Sequence, residues 1–224
     1  MVGRLGVLLL VSAGIVLPAQ DPPVKLESRV DASGNGEAVI TNLNSVPLTA
    51  YIVQVFLEPC NPSPRPDVFR VVDAIQSPDA VPLMPSRTRS EPLGAARCNK
   101  VFTSVPGRAE LRAAVYQDGT SFGNPNWVKR LLDSRRLELD QLDLVLNRLK
   151  AHGSAGLSRE VSAVLDKDLA ALQAKKTLPF PPVVDIRELV RKDLVGSQSN
   201  QIASTVVFFE RMRDRLLDSR PPLR

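Results

Sequence analysis

Among 224 residues there are two cysteines, Cys60 and Cys98, and one histidine, His152, so the side chains that most often carry chemistry are scarce. A zinc site of four cysteines, of two cysteines with two histidines, or of three histidines cannot be assembled within one such chain, and no metal is expected. His152 could serve as a general base. It stands beside Gly153 at the end of a helix-patterned stretch, where its charged form would complement the helix dipole, and no Ser or Cys motif offers it a nucleophile to activate. The G-x-S-x-G and H-E-x-x-H motifs, the phosphate-binding loop and the dinucleotide fingerprint are all missing from the sequence, so no cofactor is expected and nucleotide chemistry is not indicated.

Two further groupings could do chemistry. Asp31, Ser33, Asn35 and Gly36 approximate the first half of a calcium loop, but the twelfth position is Asn42, without the bidentate carboxylate such loops need. A hairpin turn, in which Gly and Asn accept positive backbone angles, accounts for them better. Glu110, Asp118 and Asp133 flank the middle of the chain, and paired carboxylates are the catalytic apparatus this composition permits. Glycoside hydrolysis would require two of them to face each other across a groove, about 5–10 Å apart. Their spacing selects none of them, so a carboxylate-dependent secreted hydrolase acting on glycans is the alternative reading.

The thiols are best read together with the start of the chain. A short basic segment to Arg4, an apolar run from Leu5 to Leu17 and then Pro18-Ala-Gln20 have the layout of a secretory signal cleaved after about Ala19. The run of 13 residues falls short of the roughly 20 that span a bilayer, and no later segment is apolar enough to do so. The mature chain is therefore expected to be exported, to the periplasm or the cell exterior, without a transmembrane segment. In such an oxidising compartment Cys60 and Cys98 are expected to form a disulfide.

The elements that must position these residues are separated by proline and glycine. Nine prolines fall between Pro59 and Pro106, whereas Asn126 to His152 contains neither Pro nor Gly. Val24, Leu26, Ser28 and Val30 alternate with Lys25, Glu27 and Arg29, the period of a half-buried strand. A second strand is expected through Ala38–Thr41. The strongest runs from Leu48 to Leu57, with Tyr51, Val53 and Val55 on one face and Ala50, Ile52 and Phe56 on the other, so both faces look covered. Further strands are expected at Val68–Ile75, Ser86–Leu93, Lys100–Ser104, Ala109–Tyr116 and Thr120–Phe122. The fold class is thus α+β: an antiparallel immunoglobulin-like β-sandwich over residues 24–123, after a signal peptide at 1–19, then a helical region of three or four helices over 124–224.

In that region Asn124 and Pro125 form a helix start, and Val128, Leu132, Leu139, Leu142, Leu146 and Leu149 repeat at steps of four and three, with Arg135 at the missing step. Pro125 to His152 would extend for roughly 42 Å. A second helix is expected at Leu157–Thr177, and a short one beginning at Asp185 and Glu188. The last has Ile202, Val206, Phe209, Met212 and Leu216 at helical spacing across a β-branched stretch, Thr205–Phe209. The leucine stripe is an interaction surface. It either docks on the outer face of the Leu48 strand, the simpler case, or binds a partner or a second copy.

Charge is uneven. Pro125 onward holds 18 Lys or Arg against 13 Asp or Glu, whereas Asp21 to Asn124 holds 10 against 11. Arg211, Arg213, Arg215, Arg220 and Arg224 are interleaved with Glu210, Asp214 and Asp218, a mixture that suits a solvated helix with local ion pairs better than a nucleic-acid stripe. Aromatic residues at 4% likewise leave no broad stacking surface. Ile40-Thr-Asn-Leu-Asn-Ser-Val-Pro-Leu-Thr-Ala-Tyr51 and Ala113-Ala-Val-Tyr-Gln-Asp-Gly-Thr-Ser-Phe-Gly123 resemble segments of uncharacterised exported bacterial proteins. In those proteins an immunoglobulin-like domain ends in an aspartate-glycine-threonine turn and leads into a helical tail. The resemblance implies a fold and brings no activity. The sequence therefore points to an exported, non-catalytic interaction or structural protein, with a protein or envelope component as partner and no nucleic acid.

Overall fold

The computed structural model describes residues 22–30, 36–56, 68–77, 80–92, 97–98, 101–102, 108–152, 158–175, 178–193, 199–219 and 221–222. Nine strands come first: β1 Val24–Val30, β2 Gly36–Asn42, β3 Leu48–Phe56, β4 Val68–Asp73, β5 Thr88–Pro92, β6 Arg97–Cys98, β7 Val101–Phe102, β8 Arg108–Tyr116 and β9 Ser121–Gly123. Four helices follow: α1 Pro125–His152, α2 Arg159–Ala174, α3 Ile186–Asp193 and α4 Ser199–Leu217. The protein is α+β. One antiparallel sheet has the order β1-β2-β5 and another β4-β3-β8-β9, while β6 and β7 pair with each other.

The two-residue alternation of β3 sends its side chains into two different cores. Tyr51, Val53 and Val55 pack with Ala114 and Tyr116 of β8 against Val24, Ala38 and Ile40 of the facing sheet. Ala50 and Ile52, with Ala113 and Val115, lie under Trp127, Val128 and Leu131 of α1 and under Phe180. The central strands therefore bury both faces, and the apolar face that would otherwise meet water is covered by the chain's own helix. Phe69 of β4 meets Trp127 with ring centroids 4.7 Å apart.

The long helix serves two cores in succession. It starts where the Asn124 side chain accepts from the Asn126 N–H at 2.9 Å, an N-cap that satisfies a free amide ahead of Pro125. Its first turns cross the sheet. Its later turns place Leu139, Leu142, Val145, Leu146 and Leu149 against Leu165 and Leu169 of α2, Ile186 and Val190 of α3, and Ile202, Phe209, Met212 and Leu216 of α4. Of the six residues read as an interaction stripe, Leu139, Leu142, Leu146 and Leu149 are thus buried inside the chain, while Val128 and Leu132 are half-buried. The length of the helix is what lets one apolar stripe serve both the sheet and the bundle.

Local signals set the helix boundaries well. Ser158 caps α2 by accepting from the Val161 N–H, and Asp185 caps α3 by accepting from the Glu188 N–H at 3.1 Å. In α4 the β-branched Thr205–Phe209 stretch is helical, because the helical spacing from Ile202 to Leu216 reaches a single core and that packing outweighs propensity. Two of the C-terminal arginines, Arg213 and Arg215, depart from the expected solvated face, while Arg211 is exposed as expected. Arg213 pairs with Asp143 of α1 at 2.6 Å, and Arg215 donates to the main-chain carbonyls of Ala74 and Ser77.

One turn in the sandwich is held against a steric preference. Met84-Pro85-Ser86-Arg87 closes through the Arg87 N–H to the Met84 carbonyl at 3.1 Å, with Ser86 at φ 59° in the position where type II turns favour glycine. Its amide also donates to the Asn42 carbonyl at 2.8 Å, which ties the turn to the end of β2. Ser86→Gly should raise stability by about 0.5–1 kcal/mol, measured as a higher urea midpoint, because it removes the penalty of a Cβ at positive φ. A lowered midpoint would show that the serine hydroxyl stabilises the turn.

Candidate functional site

Among the described residues, the seam between sheet and helices and a groove at the edge of the larger sheet combine polar side chains with defined geometry. The seam grows from Arg135, the residue at the missing step of the leucine stripe. Its Nε donates to Asp73 Oδ2 at 2.7 Å and its Nη2 to Asp73 Oδ1 at 3.0 Å, a two-pronged pair in which both side chains are 0% exposed. Asp73 ends β4 and also accepts from the Ile75 and Gln76 amides, so its position is fixed by the turn that leaves the strand. Nη2 of Arg135 further reaches the Thr49 hydroxyl at 3.4 Å, and Thr49 donates to the Val115 carbonyl at 2.9 Å.

One helical turn on from Ser134, Glu138 completes the cluster. Gln76 Nε2 donates to Glu138 Oε2 at 2.5 Å and to the Ser134 hydroxyl at 3.2 Å. Burial pushes the Glu138 carboxyl up to about 8, a shift that the Gln76 hydrogen bond only partly offsets and the nearby Asp73 charge adds to. Gln76 Oε1, Glu138 Oε1 and Arg135 Nη1 have no hydrogen-bond partner among the described residues. The cluster contains two carboxyl groups in different environments, but with Asp73 at 0% and Glu138 at 3% exposed, neither can be reached by a polymeric substrate. What it can do is hold the first helix to the sheet by buried, directional bonds.

The groove has a volume of about 740 Å³. One wall is β9, through Ser121, Phe122 and Gly123; the other is the first three turns of α1, through Pro125, Val128, Lys129, Leu132 and Arg136. Because β9 is the last strand of its sheet, one side of its backbone is paired by no strand among the described residues. The Thr120 carbonyl accepts from the Tyr116 N–H and the Asn124 N–H donates to the Arg112 carbonyl, so positions 120, 122 and 124 face β8. By the alternation of an antiparallel ladder, the N–H and C=O groups of Ser121 and Gly123 point outward. Gly123 is needed for this approach: at φ +103°, a Cβ there would stand 2.5 Å from the Arg112 carbonyl oxygen. Arg130 lies over the Trp127 ring at 4.6 Å.

Each carboxylate singled out in the sequence is engaged by its own neighbours. Glu110 bonds Arg112 at 2.8 Å, and Asp118 accepts from the amide and hydroxyl of Thr120, bonds that lower its pKa. Asp133 is shared by Lys129 at 2.6 Å and Arg136 at 3.2 Å. Asn42, the twelfth position of the calcium-like loop, is buried and uses its side chain on Val46, Leu83 and Asn44. Asp31, Ser33 and Asn35, Cys60, Arg224 and Arg220, and the side chains of Cys98 and His152, lie outside the described residues, as does the segment read as a signal.

Asp73, Gln76 and Glu138 were not recognisable as a group from the sequence, since they are separated by up to 65 positions and share no motif. The one signal was Arg135, a charged residue at an apolar step. Comparison of this chain with family models, with curated proteins and with solved structures gives no match.

Proposed function

We propose that this is an exported, non-catalytic interaction protein in which an immunoglobulin-type sandwich, braced by its own helices, presents the groove between β9 and α1 to a protein partner. Three strands ordered β1-β2-β5 facing four ordered β4-β3-β8-β9 support the immunoglobulin-type reading. The proposal keeps the signal peptide and the Cys60–Cys98 bridge of an exported chain. The observation that carries the function is the groove itself, a strand edge next to a partly apolar helix face, where Phe122, Val128 and Leu132 remain accessible to a ligand.

A photo-reactive amino acid placed at Phe122 in the full chain should give a discrete protein adduct in the producing cells. The same group at Val164, exposed on α2, should give none. Equal adducts from both positions would overturn the reading, as would hydrolysis of a glycan by the purified protein that is lost on replacing Glu110, Asp118 or Asp133 with the corresponding amide.

A further inference from the structure

We propose that the β9 edge takes an extended acidic peptide as an added strand, whose backbone pairs with Ser121 and Gly123 and whose side chains enter the groove against α1. This deepens the groove reading and rests on it. The argument begins with the backbone. Ser121 and Gly123 each turn an N–H and a C=O away from β8, a spacing of donors and acceptors that only another polypeptide backbone in extended form matches.

Edge strands usually carry charges that discourage such pairing. At the outer edge of the other sheet, β1 does so: Lys25, Glu27 and Arg29 alternate along it and are tied by ion pairs of 2.6 and 2.7 Å. Ser121-Phe-Gly123 carries no charge.

The wall facing that edge specifies the side chains. On an added strand, every second residue would point toward α1. Val128 and Leu132 give an apolar seat one helical turn apart, and Lys129 and Arg136 flank it with positive charge. Asp133 bridges those two cations from outside the groove lining, so the groove wall itself presents two positive side chains and, among its described lining, no carboxylate. An apolar residue flanked by carboxylates is therefore the complementary pattern. A polyanion without a peptide backbone would satisfy the charge and leave the Ser121 and Gly123 groups unmet.

The probe is the terminally blocked heptapeptide Ser-Glu-Ser-Val-Ser-Glu-Ser, in which Glu, Val and Glu share one face of an extended strand, titrated into the isotope-labelled full chain. Binding should saturate, slow amide exchange at Ser121 and Gly123, and alter the fluorescence of Trp127, the single tryptophan of the protein. Lys129→Glu should weaken it about tenfold, while Lys150→Glu, exposed further along the same helix, should leave it unchanged. A peptide methylated on alternate backbone nitrogens should not bind. Equal binding by the methylated peptide, equal binding by the same peptide with Lys in place of both Glu, or unchanged exchange at Ser121 and Gly123 would each overturn the proposal. If the Phe122 photo-adduct forms while no peptide protects these amides, the groove remains the contact surface and strand addition fails; if neither occurs, both readings fail.

Discussion

Arg135→Ala is expected to cost about 3–5 kcal/mol of folding stability, the largest loss we foresee from a single side chain outside the apolar cores. The size follows from what is left behind. Asp73 is 0% exposed and would keep only two main-chain amides and no counter-charge, so its carboxylate would be stranded in an interior that solvates it poorly. The loss should appear in urea unfolding followed at two signals, far-ultraviolet dichroism for the helices and Trp127 fluorescence for the contact between sheet and α1. Because Arg135 lies between the sheet and the bundle core, both signals should move to lower urea.

Replacing both partners at once tests whether pairing or mere polarity is at stake. Arg135→Met combined with Asp73→Asn removes both charges while keeping a side-chain oxygen for the Ile75 and Gln76 amides, and should recover most of the lost stability, since a buried ion pair often contributes little beyond a neutral, well-packed pair of similar size. A single Arg135→Ala variant within about 1 kcal/mol of the parent would show that the seam is open to water and that the pair does not hold the helix to the sheet.

The second large effect depends on pH. Glu138 titrates near 8 in the folded protein against 4.5 for an ordinary glutamate, because burial disfavours its charged form. The folded state therefore holds a proton that the unfolded chain has released throughout the interval between those values. Glu138's contribution to stability is complete below about pH 4.5 and is lost as the pH rises through about 8. Within the interval the slope from this one group approaches about 1.4 kcal/mol per pH unit.

Glu138→Gln removes the titration and keeps an oxygen to accept from Gln76 Nε2. The difference in unfolding free energy between variant and parent isolates the group from the other carboxylates. It should grow with pH across the interval and favour the variant by several kcal/mol at pH 8. The charged groups facing Glu138 are Asp73 on the strand side, Arg135 on its own helix and Arg215 of α4, and none of them is altered by the substitution. A difference that stays flat from pH 5 to 8 would mean that the Glu138 carboxyl is solvated in the folded protein.

Both effects lie at a place that sequence reading approached from one side only. The stripe Val128, Leu132, Leu139, Leu142, Leu146 and Leu149 was legible because helical periodicity records which face will be buried, whatever it is buried against. The break at Arg135 was legible as an interruption. Its meaning was not, because an arginine at an apolar step has the same local pattern whether it reaches water or a carboxylate 62 positions earlier. Asp73 and Gln76 occupy a turn after a strand, where polar residues are ordinary. The groove was hidden for a related reason: Ser121-Phe-Gly123 reads as hairpin grammar, and only the strand order shows that no described strand pairs with its outer side.

The sequence by itself determined the elements: strands from Val24 to Gly123, a helix from Pro125 with no further proline, and short helices bounded by Ser158 and Asp185, because dihedral preference, capping and apolar period act over a few residues. Tertiary structure alone decided which faces meet: that one leucine stripe serves both sheet and bundle, that Arg135 is neutralised by Asp73, that Glu138 is buried with a proton to keep, and that β9 is left as an open edge. Those outcomes depend on contacts between residues distant along the chain, whose free energy comes from burial and from the loss of water around charges, and no local pattern encodes either.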